Sequence, residues 1–84
     1  MTLRHLAIFI KVCEENGITA ADKKLHMTQP SVSQVIHELE AHYQPLLFER
    51  LGRRIFITEA GLRLLRYSLH LIILYAQTDQ SMRV

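Results

Sequence analysis

Apolar side chains recur at helical spacing from Leu3 onward, and the pattern predicts two helices in the first third of the chain. The first helix is predicted over Leu3–Glu15. Its apolar stripe consists of Leu3, Leu6, Ile10 and Cys13, widened by Ala7, Phe9 and Val12. Asn16 and Gly17 end this helix, because both residues tolerate the left-handed conformation that is common after a helix C-terminus. A short second helix is predicted to begin at Thr19 as its N-cap and to end at Leu25.

The third predicted helix has a polar outward face. Thr28 is a suitable N-cap, and Pro30 lies where its missing N–H would have had no helical partner. The apolar stripe consists of Val32, Ile36, Leu39 and Tyr43, and the opposite face carries Gln29, Pro30, Ser33, Gln34 and His37. Taken alone, this pattern is typical of an ordinary amphipathic helix with a solvated face. However, only His26 and Met27 separate this helix from the second one, so the two together predict a helix-turn-helix. The amides and hydroxyls on the outward face of the third helix can pair with base edges.

Two short strands are predicted after this helix, over Leu46–Arg50 and Arg54–Ile57, with Gly52 in the link as a hairpin signal. Pro45 prevents further helix and biases Gln44 toward extended geometry. The hairpin tip is rich in arginine. These charges either keep a solvated edge from aggregating, or they place arginine on a phosphate or in a minor groove. The preceding helix-turn-helix favours the second interpretation, a wing.

The last predicted helix is apolar on two sides. Thr58 is its N-cap, Glu59 suits the helix dipole, and a run to about Ser81 makes it roughly 35 Å long. One apolar stripe consists of Leu62, Leu65, Leu69, Ile72, Ile73 and Ala76. The other consists of Leu64, Tyr67, Leu71 and Tyr75. Such a helix needs two partners, the body of its own domain and a second copy. The first stripe is the predicted dimerisation set, although the pattern leaves open which stripe faces the second copy.

Composition and charge narrow the class of protein. The 84 residues make one small domain with a net charge of +2, so nucleic-acid binding has to be argued from the distribution of charge. Residues 50–66 hold five arginines against Glu59 alone. Cys13 is the single cysteine, which excludes an internal disulfide and fits a reducing compartment. No apolar run approaches the roughly 20 residues of a membrane span, and a signal peptide is not evident, so a soluble, cytoplasmic protein is expected.

Four short motifs occur together and in order along the chain. They are Leu3–Leu6 (LRHL), Leu25–Pro30 (LHMTQP), Leu47–Arg54 (LFERLGRR) and Thr58–Gly61 (TEAG). Together they resemble the N-terminal DNA-binding domain of LysR-type transcriptional regulators, over nearly the whole chain. The resemblance implies a mainly α fold, a winged helix-turn-helix of three helices and a two-stranded wing over residues 1–57. It also implies a linker and dimerisation helix over residues 58–84, which pairs antiparallel with its mate.

The same resemblance implies the candidate contacts with double-stranded DNA. Thr28, Gln29, Pro30, Ser33 and Gln34 would face the major groove and adjacent phosphates, and Arg53 would enter or flank the minor groove. Ser31 and His37 are weaker additions, and Arg54 is included with Arg53 at the tip of the hairpin. In this family a separate C-terminal domain binds a small-molecule effector. We expect the present sequence to lack that domain.

Three departures from the family pattern affect the expected contacts. Asp22 replaces a small residue in the second helix, and we expect it to face outward. Gln34 stands where arginine is common, which removes a fork that reads guanine. Residues 43–45 (YQP) replace a helix stop that contains glycine, so the approach to the wing is expected to differ.

Other classes of function fit less well. The histidines are scattered, and the sequence holds no cysteine pair, glycine-rich phosphate loop or Ser/His/Asp set, so we expect no enzyme, cofactor or metal site. The apolar residues of the last helix lie on both sides, which argues against an amphipathic membrane-surface helix. The main alternative to a DNA-binding regulator is a protein-interaction or dimerisation module without a DNA target of its own.

Overall fold

The computed structural model describes residues 1–83 and contains four helices and one antiparallel two-stranded sheet. The elements in chain order are α1 (Leu3–Glu15), α2 (Ile18–Leu25), α3 (Gln29–Tyr43), β1 (Phe48–Leu51), β2 (Arg54–Ile57) and α4 (Glu59–Met82). This order confirms the predicted mainly helical fold, with a helix-turn-helix, a hairpin and a long last helix. None of the helices within residues 1–83 is long and apolar enough to cross a membrane.

Helix α1 is the centre of the core because α2, α3 and α4 all pack against it. Its buried residues are Leu6, Ile8, Phe9, Ile10 and Val12. The predicted apolar stripe left out Ile8, which is buried, and included Ala7, which is exposed. A helix that is covered by three others buries more than one face, which a single-stripe interpretation does not anticipate.

The boundaries of α2 differ slightly from the prediction. Asn16 does end α1 in the left-handed conformation, with φ of 56°. The N-cap of α2, however, is Gly17, and Thr19 lies in the first helical turn. Gly17 is extended (φ 174°, ψ 155°) and its carbonyl already accepts from the N–H of Ala21, so the chain re-enters a helix without a longer connection.

Helix α3 begins as predicted, with the Thr28 hydroxyl accepting from the N–H of Ser31 at 3.3 Å. Val32, Ile36 and Leu39 are buried. Tyr43, expected on the same stripe, remains 37% exposed and lines an open groove beside Leu47 and Leu64.

The connection from α3 to the wing contains a backbone conformation that the sequence does not predict. Gln44 has φ of 84° and ψ of −56°, so the expected extended geometry is wrong. Its N–H still bonds to the carbonyl of Glu40 at 2.9 Å, and the chain then turns back over the helix. The Glu40 carboxylate accepts from the N–H of Leu47 at 2.8 Å and of Phe48 at 3.4 Å. These bonds fix the reversal that Gln44 makes.

The hairpin is shorter at its start than predicted. Strand β1 begins at Phe48 rather than Leu46, and the turn consists of Gly52 and Arg53, with Gly52 at φ of 64°. Leu46 and Leu47 are held instead by Thr58, whose hydroxyl donates to the carbonyl of Leu46 at 2.6 Å and whose N–H donates to that of Leu47 at 3.0 Å. The carbonyl groups of Leu46 and Leu47 therefore bond to the N-cap residue of α4 rather than to a neighbouring strand.

Helix α4 packs on the core only through its first half. Thr58 caps it by accepting from the N–H of Gly61 at 3.0 Å. The fully buried residues are Gly61 and Ser68, flanked by the half-buried Leu64 and Leu65. The helix does not contact its own body through one of the two predicted stripes alone. Leu64 belongs to one stripe and Leu65 to the other, and both are half-buried. Among described residues after Ser68, all are exposed except the half-buried Ile72.

Candidate nucleic-acid interface

The first turns of α3 present most of the predicted contact residues to solvent. Gln29, Pro30, Ser31, Gln34 and His37 are exposed. The hydroxyl of the exposed Thr28 donates to Ser31 Oγ at 2.8 Å, which leaves the Ser31 hydroxyl hydrogen free for an outside acceptor such as a phosphate. Ser33 is half-buried and is the least accessible of the set.

The wing carries three exposed arginines, Arg50, Arg53 and Arg54. None of the three has a carboxylate within 4.0 Å among residues 1–83, whereas Arg63 and Arg83 are both paired along α4. Antiparallel pairing of Leu51 with Arg54 places Arg53 at the turn itself. The wing guanidiniums are therefore available to an external anion.

A cleft of about 350 Å³ brings the helix-turn-helix and the wing to the same side of the molecule. It is lined by the turn between α1 and α2, the start of α2 at Thr19 and Ala20, Gln29 from α3, and Arg53 and Arg54 from the wing. His37 lies in a different groove, beside Arg50. The exposed start of α2 is a candidate contact that the sequence interpretation missed, because Thr19 was assigned to a cap.

A hydrogen-bonded network joins α3 to the start of α1. Gln34 Nε2 donates to Glu38 Oε1 at 3.3 Å, and the other oxygen of Glu38 lies 2.7 Å from His5 Nε2. His5 Nδ1 in turn lies 2.9 Å from the Thr2 hydroxyl. The bonds from His5 and then from Gln34 lower the pKa of Glu38 below its usual 4.5, since both stabilise the charged carboxylate.

The sequence indicates only part of this network. Gln34 and Glu38 are four residues apart on one helix, a spacing at which side chains meet, so their contact was predictable. The bond to His5 spans 33 residues and depends on how α1 packs against α3. The sequence around either residue therefore gives no indication of this bond.

The described residues hold no cluster suited to metal binding, and their one cysteine has no thiol partner. Burial raises the pKa of the Cys13 thiol to about 12, with a smaller contribution from Glu14, which is typical of an unreactive structural cysteine. Within residues 1–83, no group of three or more His, Cys, Asp or Glu side chains is arranged to hold a metal ion. Asp22 is only partly buried, in line with the expectation that it faces outward.

Known proteins share this sequence pattern and this geometry. The family model for bacterial regulatory helix-turn-helix proteins of the lysR family matches residues 3–62. The chain belongs to the LysR family. This confirms the resemblance drawn from the four motifs.

Two LysR-family relatives illustrate how far the similarity extends. The RuBisCO operon transcriptional regulator of Allochromatium vinosum is 41% identical over 68 residues, which is 81% of this chain and 22% of that protein. An HTH-type transcriptional regulator of Azotobacter vinelandii is 39% identical over 82 residues, covering 98% of this chain and 57% of that protein. The chain thus spans less than two thirds of the length of either relative.

Solved LysR structures superpose over nearly the whole chain. The CbnR_DBD–DNA complex matches with a TM-score of 0.94 and 34% identity, covering 99% of this chain and 95% of that one. The BenM_DBD complex with catB site 1 DNA matches with a TM-score of 0.93 and 34% identity, covering 99% and 93%. Both neighbours were solved bound to DNA, in a fold that this chain shares.

Proposed function

We propose that this LysR-family chain binds double-stranded DNA sequence-specifically as a homodimer and thereby regulates transcription. The observation that carries the proposal is the arrangement along one cleft of Gln29, on the polar face of α3, with Arg53 and Arg54, which have no carboxylate partner among residues 1–83. A duplex lying across that cleft would meet hydrogen-bonding side chains and guanidiniums together. DNA binding itself is supported by the two neighbours of the same fold that were solved as DNA complexes.

The DNA contact proposed for each element follows from the chemistry of its side chains. Thr28, Ser31 and the start of α3 bind phosphates, because hydroxyls and helix N-terminal N–H groups favour anions. Gln29 and Gln34 read base edges in the major groove, where each base pair has a distinct pattern of donors and acceptors. Arg53, at the tip of the wing, lies in or beside the minor groove. Pro30, Ser33, His37 and Arg54 complete the predicted contact set.

Helix α4 provides the proposed dimer interface. Its second half exposes Leu69 (42%), Ile73 (53%) and Ala76 on the first predicted stripe, with Leu62 (51%) nearer the body. Leu65 and Ile72 of that stripe are half-buried. A contiguous apolar surface of this length is costly in water, and a second copy would cover it. Residues 1–57 would then bind DNA, and residues 58–84 would set the distance between the two DNA-binding domains of the dimer.

Selection from a random duplex library tests the proposal, with the wild-type chain run beside Gln29→Ala. The wild type should enrich a dyad, since a two-fold dimer reads two related half-sites. The variant should retain salt-sensitive binding while one position in each half-site relaxes. Enrichment of no sequence by the wild type would contradict sequence-specific binding.

Arg53→Glu separates the wing contact from base reading in the same assay. It should weaken binding to every duplex and lower the salt slope by about one unit, because phosphate contacts are independent of sequence. Arg63→Glu makes the same change in charge on α4 and serves as the matched control. Equal losses in both variants would mean that net charge, rather than the wing, is responsible.

A further inference from the structure

Glu38 is hydrogen-bonded to the side chain of Gln34, a proposed base-reading residue. Gln34 and Glu38 lie one turn apart on α3, and Gln34 Nε2 is 3.3 Å from Glu38 Oε1. A carboxylate can only accept hydrogen bonds, so the end of Gln34 that meets it has to be the amino group. The Gln34 carbonyl oxygen has no hydrogen-bond partner among residues 1–83, and the residue is exposed.

Glu38 is itself fixed from outside its helix. Its second oxygen bonds to His5 Nε2 at 2.7 Å, and that ring is held at Nδ1 by Thr2. Because Glu38 already has this partner, the bond to Gln34 costs mainly the rotamer entropy of Gln34 and little of that of Glu38. A glutamate is ionised at neutral pH, and hence a pure acceptor, and the lowered pKa of Glu38 extends this state to more acidic pH.

We infer that Glu38 is a specificity-determining positioning residue: it orients Gln34 so that the amide oxygen meets the DNA. This inference rests on the proposed function. An unrestrained glutamine can turn its amide over and offer either end first. Gln34 in this setting favours a base that donates in the major groove, adenine N6 or cytosine N4, over guanine or thymine, whose edges there accept.

Glu38→Gln is the decisive variant because it keeps the size of the side chain and removes its acceptor-only character. Two facing amides can pair in either sense, so Gln34 is released to turn over. In selections from a random duplex library, wild type should prefer adenine or cytosine by about fivefold or more at the position that Gln34→Ala relaxes. Glu38→Gln should reduce that ratio at least about threefold at that position and leave the other positions unchanged.

Matched variants separate orientation from charge and from folding. Glu49→Gln removes one exposed negative charge from the wing and touches neither Gln34 nor His5. It should raise affinity for all duplexes slightly, with no change in base preference. His5→Ala should relax the same position as Glu38→Gln, but less. In a Gln34→Ala background, Glu38→Gln should have no further effect on that position, as a double-mutant cycle requires.

The outcomes distinguish this inference from the function on which it rests. If wild type enriches no sequence, the proposed function fails. If wild type enriches a site and Gln34→Ala relaxes one position, but Glu38→Gln leaves that position intact, the function stands and the orienting role is wrong. A preference for guanine or thymine at that position would also overturn it. Loss of thermal stability in Glu38→Gln without a change in base preference would mean that Glu38 is only structural.

Discussion

Single residues decide where the backbone of this domain turns. Within residues 1–83, three non-glycine residues have positive φ: Asn16, His26 and Gln44. Asn16 and His26 lie in the left-handed helical region, which asparagine and histidine tolerate better than most residues. Gln44, with φ of 84° and ψ of −56°, lies outside that region and precedes a proline. It is the strained residue of the fold, retained because Glu40 and Leu47 fix the reversal around it.

Replacing Gln44 by glycine should relieve that strain. Glycine adopts positive φ without a Cβ clash, and strain of this kind costs about 1 kcal/mol or more. We expect Gln44→Gly to be about 1 kcal/mol more stable than Gln44→Ala, which keeps the Cβ while removing the same side chain. Urea unfolding monitored by circular dichroism measures the difference in the free energy of unfolding. An alanine variant as stable as the glycine variant would show that the position is relaxed.

The extent to which the sequence predicts each element depends on where its determinants lie. Thr28 and Thr58 were predictable as N-caps because their hydroxyls bond to N–H groups three residues away. The start of β1 was placed too early because the backbone of Leu46 and Leu47 is held by Thr58 and Glu40, which are distant in sequence. For the candidate site, helical periodicity predicted most of the exposed α3 residues, but Ser33 is half-buried and Tyr43 is exposed. It could not predict the His5 bond to Glu38.

At the scale of elements, the junction between the hairpin and α4 depends on close backbone approach. Gly61 is fully buried, and a Cβ there would lie 2.6 Å from Ile57 Cγ1 and closer still to the carbonyl oxygen of Leu47. A carbonyl oxygen belongs to the backbone and cannot rotate away as a side chain can. The absence of a side chain at Gly61 therefore sets how closely α4 docks on the wing.

Gly61→Ala should consequently destabilise the domain by about 2 kcal/mol, through overpacking. The sign is informative, because glycine to alanine within a helix is ordinarily stabilising by about 0.5–1 kcal/mol. Gly17→Ala is the matched control: its Cβ would have nothing within 4 Å, and its backbone is extended. Thermal unfolding of both variants should show a loss for Gly61→Ala alone. Stabilisation by Gly61→Ala would contradict the close approach.

At the scale of the whole molecule, the long helix determines the shape. The described residues extend 50 Å in one direction and only 26 and 19 Å in the others. The second half of α4 accounts for this elongation, since it leaves the body after Ser68. Its exposed apolar residues include Leu71, Leu74 and Tyr75 as well as Leu69 and Ile73 of the first predicted stripe. A lone helix with this surface gains little from its own domain, so the proposed association with a second copy would also stabilise its helical order.

Charge substitutions on this segment should therefore change assembly without unfolding the body, because the body is complete before the helix leaves it. Leu69→Glu, on the first predicted stripe, should yield a monomer in sedimentation experiments that retains the α1–α3 core. Tyr75→Glu, on the other stripe and 63% exposed, is the matched control and should remain dimeric. The reverse result would place the interface on the second stripe.

The monomeric variant should also change what the protein selects from a duplex library. A dimer binds two half-sites at a fixed separation, whereas a monomer has only one DNA-binding domain. Leu69→Glu should thus enrich a single half-site, with weaker affinity and the same base preferences within that half-site. Because the proposed function assigns base reading to α3 and spacing to α4, the two properties should separate in this variant. A full dyad enriched by a protein that sediments as a monomer would show that the DNA itself, rather than α4, sets the spacing.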